Sequence, residues 1–123
     1  MGAAIAHELS KYDVSTILFE KEHDIAEGVS KANSGVLHAG FMIPPGSLKA
    51  ILNVEGRRYF PELTHRLGVP YLNCEKLVVG RTSRERKKLE KLLEQGQQSG
   101  VPGLSLIGRE EIRELEPNVN AEY

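Results

Sequence analysis

The chain has 123 residues, a formal net charge of −1 and 27% charged residues, so it carries no one-signed field that would mark a nucleic-acid or membrane surface. Its 40% hydrophobic content is ordinary for a soluble domain with one core, and its longest apolar run is far short of the roughly 20 residues of a membrane-spanning helix. A single cysteine, Cys74, excludes an internal disulfide and fits a reducing compartment, and with no signal peptide the expected setting is cytoplasmic.

The first element expected is a helix from about Ala3 to Lys11, whose small residues Ala3, Ala4 and Ala6 let it lie close to a sheet. Tyr12-Asp13 then turns the chain into a buried strand, Val14 to Phe19, ending at Glu20. Glu20 follows Gly2 at about the distance at which a dinucleotide fold places an acidic side chain to bind a ribose. If Gly2 is the last glycine of a G-x-G-x-x-G turn, the first two glycines and the first strand lie upstream of Met1, and the chain reads as a fragment.

From Glu20 to Pro45 no period holds, and Gly28, Gly35, Gly40, Pro44 and Pro45 punctuate the segment. So long an irregular stretch in a small domain is usually functional. Its densest part is Lys31-Ala32-Asn33-Ser34-Gly35-Val36-Leu37-His38-Ala39-Gly40-Phe41, followed by Pro44-Pro45-Gly46-Ser47-Leu48-Lys49-Ala50. Gly35 and Gly40 let main chain approach a ligand, while Lys31, Asn33 and Ser34 can reach phosphate or ring heteroatoms.

Ser47 is the expected N-cap of a second helix that buries Leu48, Ile51, Leu52, Leu63 and Leu67, with Gly68 after its end and Pro61 kinking or restarting it. A strand is expected near Lys76 to Gly80, with Cys74 buried and inert beside it. Ser83 caps a helix to about Gln98 that turns Leu89, Leu92 and Leu93 inward, and the basic cluster from Arg81 to Lys91 is a solvated face. Leu104 to Ile107 reads as a short strand, and Arg109 to Leu115 as a last helix closed by Pro117.

The segments Asn33 to Phe41 and Pro45 to Ala50 resemble the FAD-dependent oxidoreductases of the D-amino-acid oxidase type, in the branch of glycerol 3-phosphate dehydrogenases and L-2-hydroxyglutarate oxidases. Asn73 to Val79 and Glu110 to Asn118 look like parts of that branch's substrate domain, so the resemblance covers nearly the whole chain. It implies an α/β fold: a partial Rossmann-like FAD-binding domain lacking its first strand, residues 1–70, and the start of an α+β substrate domain, residues 71–123.

The resemblance also assigns roles. Gly2 would open the helix that faces the FAD pyrophosphate, Glu20 would hold the adenosine ribose with Lys21 beside it, and Lys31, Asn33 and Ser34 would line the pyrophosphate and ribityl chain. Gly35 to Gly40 would run under the isoalloxazine, with His38 near its edge as the candidate catalytic base. In some relatives a histidine in the matching loop is bonded to the flavin, so His38 is also a candidate tether. The implied reaction oxidises an alcohol carbon of a small anionic substrate, with hydride passing to the flavin.

Plainer readings stand beside these. Glu20 can be a solvated acid at a strand end, and His38 a neutral, hydrogen-bonded loop histidine. His7, His23 and His65 lack partners at metal spacing, so no metal site is expected. Lys49 fits solvent better than a phosphate. The chain on its own can also be a non-catalytic piece without cofactor that self-associates through an exposed sheet, and an unrelated nucleotide-binding α/β domain leaves the 31–50 segment unexplained.

Overall fold

In the computed structural model, which describes all 123 residues, the secondary structure is four helices: α1 (Gly2–Leu9), α2 (Leu48–Leu67), α3 (Ser83–Gln98) and α4 (Arg109–Leu115). No β-strand forms. The strands expected at 14–19, 76–80 and 104–107 are therefore corrected: all three segments are irregular. A strand exists only through a neighbour that completes its hydrogen-bond ladder, and apolar β-branched sequence supplies none. Ile17 is 78% and Phe19 88% exposed, so the 14–19 segment is not buried either.

The chain divides into two compact units, Met1–Val36 and Leu37–Tyr123. The first contains α1 and no buried residue. Within it α1 lies close to the segment that follows. A β-carbon placed on Gly2 would come within 2.8 Å of Leu18 Cδ1. The expected division at residue 70 separates functions, cofactor from substrate, and these packing units do not bear on it.

The second unit holds the core. Phe41, Val54 and Val101 are buried together, with Ala39, Leu92 and Leu104 packed against them. Helix α2 starts where Ser47 Oγ accepts from the Ala50 amide at 3.2 Å and stops at Gly68, whose φ of 64° is left-handed. Gly68 N–H then donates to His65 O and Val69 N–H to Thr64 O, which satisfies the last carbonyls. Pro61 does not restart this helix, which runs as one element; the Thr64 hydroxyl beside it donates to the carbonyls of Phe60 and Pro61.

The buried residues of α2 are Ala50, Val54 and Thr64, whereas Leu48, Ile51, Leu52 and Leu67 are exposed. The expected face was the wrong one. Periodicity finds the larger apolar residues, but the 40–41 segment packs closely on the side whose residues are small.

Helix α3 is capped by Thr82, one residue before the expected Ser83. Thr82 Oγ1 accepts from the Glu85 amide at 3.3 Å, and Glu85 Oε2 accepts from the Thr82 amide at 3.0 Å, a reciprocal capping box. Its leucines 89, 92 and 93 are half-buried, and its one fully buried position is Gly96. Helix α4 has the expected span and buries Ile112, which is 1% exposed. The last residues return to the start of α3. Gly80 N–H donates to Tyr123 O at 2.7 Å, Arg81 Nε donates to Asn120 O, and Arg109 pairs with Glu122 at 2.7 Å. Cys74 is exposed, not buried, because no strand forms beside it to cover it.

Candidate functional site

The residues singled out by the sequence fall into both units. Gly2, Glu20, Lys21, Lys31, Asn33, Ser34 and Gly35 belong to the first, and His38 and Gly40 to the second. In the first unit, Glu20 Oε1 accepts from the amides of Lys21 at 2.8 Å and Glu22 at 3.1 Å. The carboxylate thus turns the chain sharply after residue 19 and spends one of its two oxygens doing so. Lys21 Nζ pairs with Glu22, and Lys31 Nζ with Glu27 at 2.8 Å. Both ion pairs are solvent-exposed, so each is worth about 0–1 kcal/mol and yields readily to a better anion such as a phosphate.

Asn33 organises the loop. Its Nδ2 donates to the carbonyls of Val29 and Ser30 at 2.9 and 2.8 Å, and its Oδ1 accepts from the Gly35 amide at 2.7 Å. That amide bond closes a side-chain turn over Ser34 and sets Gly35 at φ 66°. A β-carbon at Gly35 would meet nothing within 4 Å, so the loop offers open, left-handed backbone there. Ser34 is exposed.

In the second unit, Gly40 is buried, with φ 102°. A β-carbon there would lie 2.9 Å from Asn53 Oδ1 and 3.4 Å from Val54 Cγ2, so only glycine fits. The Ile43 amide donates to Gly40 O at 3.0 Å and closes a tight turn. His38 stands just before this turn and is exposed. His7, His23 and His65 are exposed as well, and no cluster of three or more His, Cys, Asp or Glu has metal-binding geometry.

Two residues missed in the sequence support this loop from α3. Gln95 Nε2 donates to the carbonyls of Phe41 at 2.8 Å and Ile43 at 3.2 Å. Gly96 lies beneath Phe41, where a β-carbon would come within 2.8 Å of Phe41 Cβ. The signal was present: a glycine inside an otherwise strongly helical run costs about 1 kcal/mol and asks for a packing reason.

These features fit a bound flavin dinucleotide. Gly2 lies against the tip of the Leu18 side chain, and Gly35 leaves main chain open to a ligand. Lysines 21 and 31 and Ser34 are exposed groups able to meet phosphate oxygens.

The chain belongs to the FAD dependent oxidoreductase (DAO) family, whose pattern matches residues 1–123. Family members depend on FAD, and the family implies a Rossmann-like α/β domain. The chain is 43% identical over 120 residues to glycerol 3-phosphate dehydrogenase of Caloramator mitchellensis, covering 98% of this chain and 25% of that protein. It is 40% identical over 117 residues to the mitochondrial L-2-hydroxyglutarate dehydrogenase of Homo sapiens, covering 95% of this chain and 25% of that protein. It is also 37% identical over 125 residues to glycerol 3-phosphate oxidase of Mycoplasma pneumoniae, covering 99% of this chain and 33% of that protein. The chain thus spans about a quarter to a third of the length of these relatives. No solved structure matches it. No helix is long and apolar enough to cross a membrane.

Proposed function

We propose that this chain contributes to an FAD-dependent dehydrogenase that oxidises glycerol 3-phosphate, with residues 1–70 serving the cofactor and residues 71–123 opening the substrate domain. The observation that carries this reading is the 43% identity to glycerol 3-phosphate dehydrogenase across almost the whole chain. The open glycine backbone at Gly35 and the glycine-only turn at Gly40 support it.

Bound FAD supplies the hydride acceptor. The chain's own groups do the rest. Glu20 would accept hydrogen bonds from the adenosine ribose, and Gly2 would let the α1 amides face the pyrophosphate. Lys21 and Lys31 would neutralise the phosphates and the Ser34 hydroxyl would donate to them, while Asn33 shapes the loop that presents Gly35. His38 withdraws the proton from the substrate hydroxyl, a role its exposed position before the Gly40 turn supports. The soluble setting proposed is the cytoplasm.

The 40% identity to L-2-hydroxyglutarate dehydrogenase favours a second reading, oxidation of a 2-hydroxy acid on the same scaffold. Anaerobic mixing of the complete flavoprotein with each substrate separates the two: glycerol 3-phosphate should bleach the flavin band near about 450 nm, and L-2-hydroxyglutarate should not. Bleaching by L-2-hydroxyglutarate alone reverses the assignment, and bleaching by neither sinks both. In the same assay, His38→Gln should slow flavin reduction by about 10²- to 10⁴-fold if His38 is the base.

The non-catalytic reading, in which the chain binds no cofactor and associates with itself, draws on the exposed Val14, Ile17, Leu18 and Phe19. Titration of the 123-residue chain with FAD, together with sedimentation, decides it: a flavin spectrum on a monomer defeats that reading.

A further inference from the structure

Residues Gly40 to Ile43 form an irregular turn in which the Ile43 amide donates to Gly40 O, while no strand lies alongside and α2 begins only at Leu48. Irregular backbone packed against a core needs further donors from elsewhere. For Phe41 O and Ile43 O they come from one side chain more than fifty residues away in sequence. Gln95 Nε2 has two hydrogens, and it spends them on two carbonyls of the same turn, Phe41 O at 2.8 Å and Ile43 O at 3.2 Å. The amide orientation is forced, because its oxygen cannot accept from a carbonyl. Next along α3, Gly96 removes any side chain from beneath Phe41, which lets the turn come down onto the helix. Phe41 is then locked between Val54 and Val101.

We infer that Gln95 is a positioning residue: by bridging the Phe41 and Ile43 carbonyls it holds the Leu37–Ile43 loop, with His38 and Gly40, in the conformation in which it receives the flavin. The part of this inference that concerns flavin rests on the function proposed above. The clamp itself rests on the geometry alone. It also joins a residue of the proposed substrate domain to the proposed cofactor loop, so a change felt by α3 is passed to the main chain at Phe41 and Ile43.

The test uses Gln95→Met, which keeps length and bulk but removes both donors, with Gln98→Met as a control. Gln98 bonds only Glu94 of its own helix. Hydrogen exchange is followed on the 123-residue chain without cofactor, and FAD affinity is measured by flavin fluorescence. In Q95M, exchange in peptides spanning 37–46 should rise about tenfold while peptides of α2 and α4 hold their rates, and FAD should bind about tenfold more weakly. Q98M should change neither. Unchanged exchange at 37–46, or an equal rise throughout Leu37–Tyr123, overturns the clamp, because the bonds would then be incidental or merely stabilising. A local exchange response with unaltered FAD affinity overturns the flavin part of the inference. If the unsubstituted chain binds no FAD by itself, the affinity arm is read on the complete flavoprotein carrying the same substitutions; a complete protein that binds no FAD defeats the proposed function, and the local exchange response alone then decides the clamp.

Discussion

Gly40 combines a left-handed φ of 102° with a Cα face pressed on Asn53 Oδ1, and the two demands act together. Gly40→Ala adds backbone strain at a positive φ and a contact that the Asn53 side chain must shift to relieve, so it should destabilise the chain by about 1–3 kcal/mol. Urea unfolding checks this: the midpoint should fall with an unchanged slope, and an unchanged midpoint would mean the turn does not need glycine. Asn53 Oδ1 itself is buried with no hydrogen-bond partner. At this scale the sequence was legible where chemistry is local. Glycines 35 and 40 were marked as backbone positions and both have positive φ. Gln95 was not legible, because its partners are far off in sequence and nothing in a polar helix position distinguishes a clamp from a solvated side chain.

The helices owe their ends to local side chains, and those ends respond to pH. The Arg81 amide, and then the Thr82 hydroxyl and amide, hold the Glu85 carboxyl below its ordinary value by hydrogen-bonding to its charged form. A depressed carboxyl stabilises the folded state above the pKa it has in the unfolded chain, and that contribution disappears as pH falls through the lowered folded value. On acid titration α3 should therefore fray at its start, seen as a loss of far-ultraviolet helix signal across the acidic carboxylate range. Glu85→Gln should show a flatter acid profile; an identical profile would place the pH sensitivity elsewhere. Thr82→Ala should cost about 1 kcal/mol by leaving the Glu85 amide uncapped. The Ser47 cap, the left-handed Gly68 stop and the α4 span were readable from neighbouring residues, whereas the α3 cap was placed one residue late, at Ser83 instead of Thr82. The strands were not, because alternation and β-branching describe a surface that fits a sheet without supplying the sheet.

Stability is unevenly spread over the whole molecule. Residues Leu37–Tyr123 hold the core of Phe41, Val54 and Val101, while Met1–Val36 buries no residue. Segments with few buried contacts open at low free-energy cost, so limited proteolysis should cut first within residues 20–36 and leave a product that begins near Leu37. A first cut inside α2 or α3 would contradict the division. Membership of the FAD dependent oxidoreductase family was legible from the 31–50 segment, whose residues resemble that family's in a particular order. The sequence by itself determined that family, the spans of α2 and α4 and the glycines of the loop, while α1 ends two residues before the expected Lys11 and α3 is capped one residue early. Only the tertiary structure decided which face of α2 is buried, that the 14–19 segment is exposed, and that Gln95 and Gly96 seat the loop. Those outcomes depend on which surfaces meet across long stretches of chain, and periodicity carries no record of the partner.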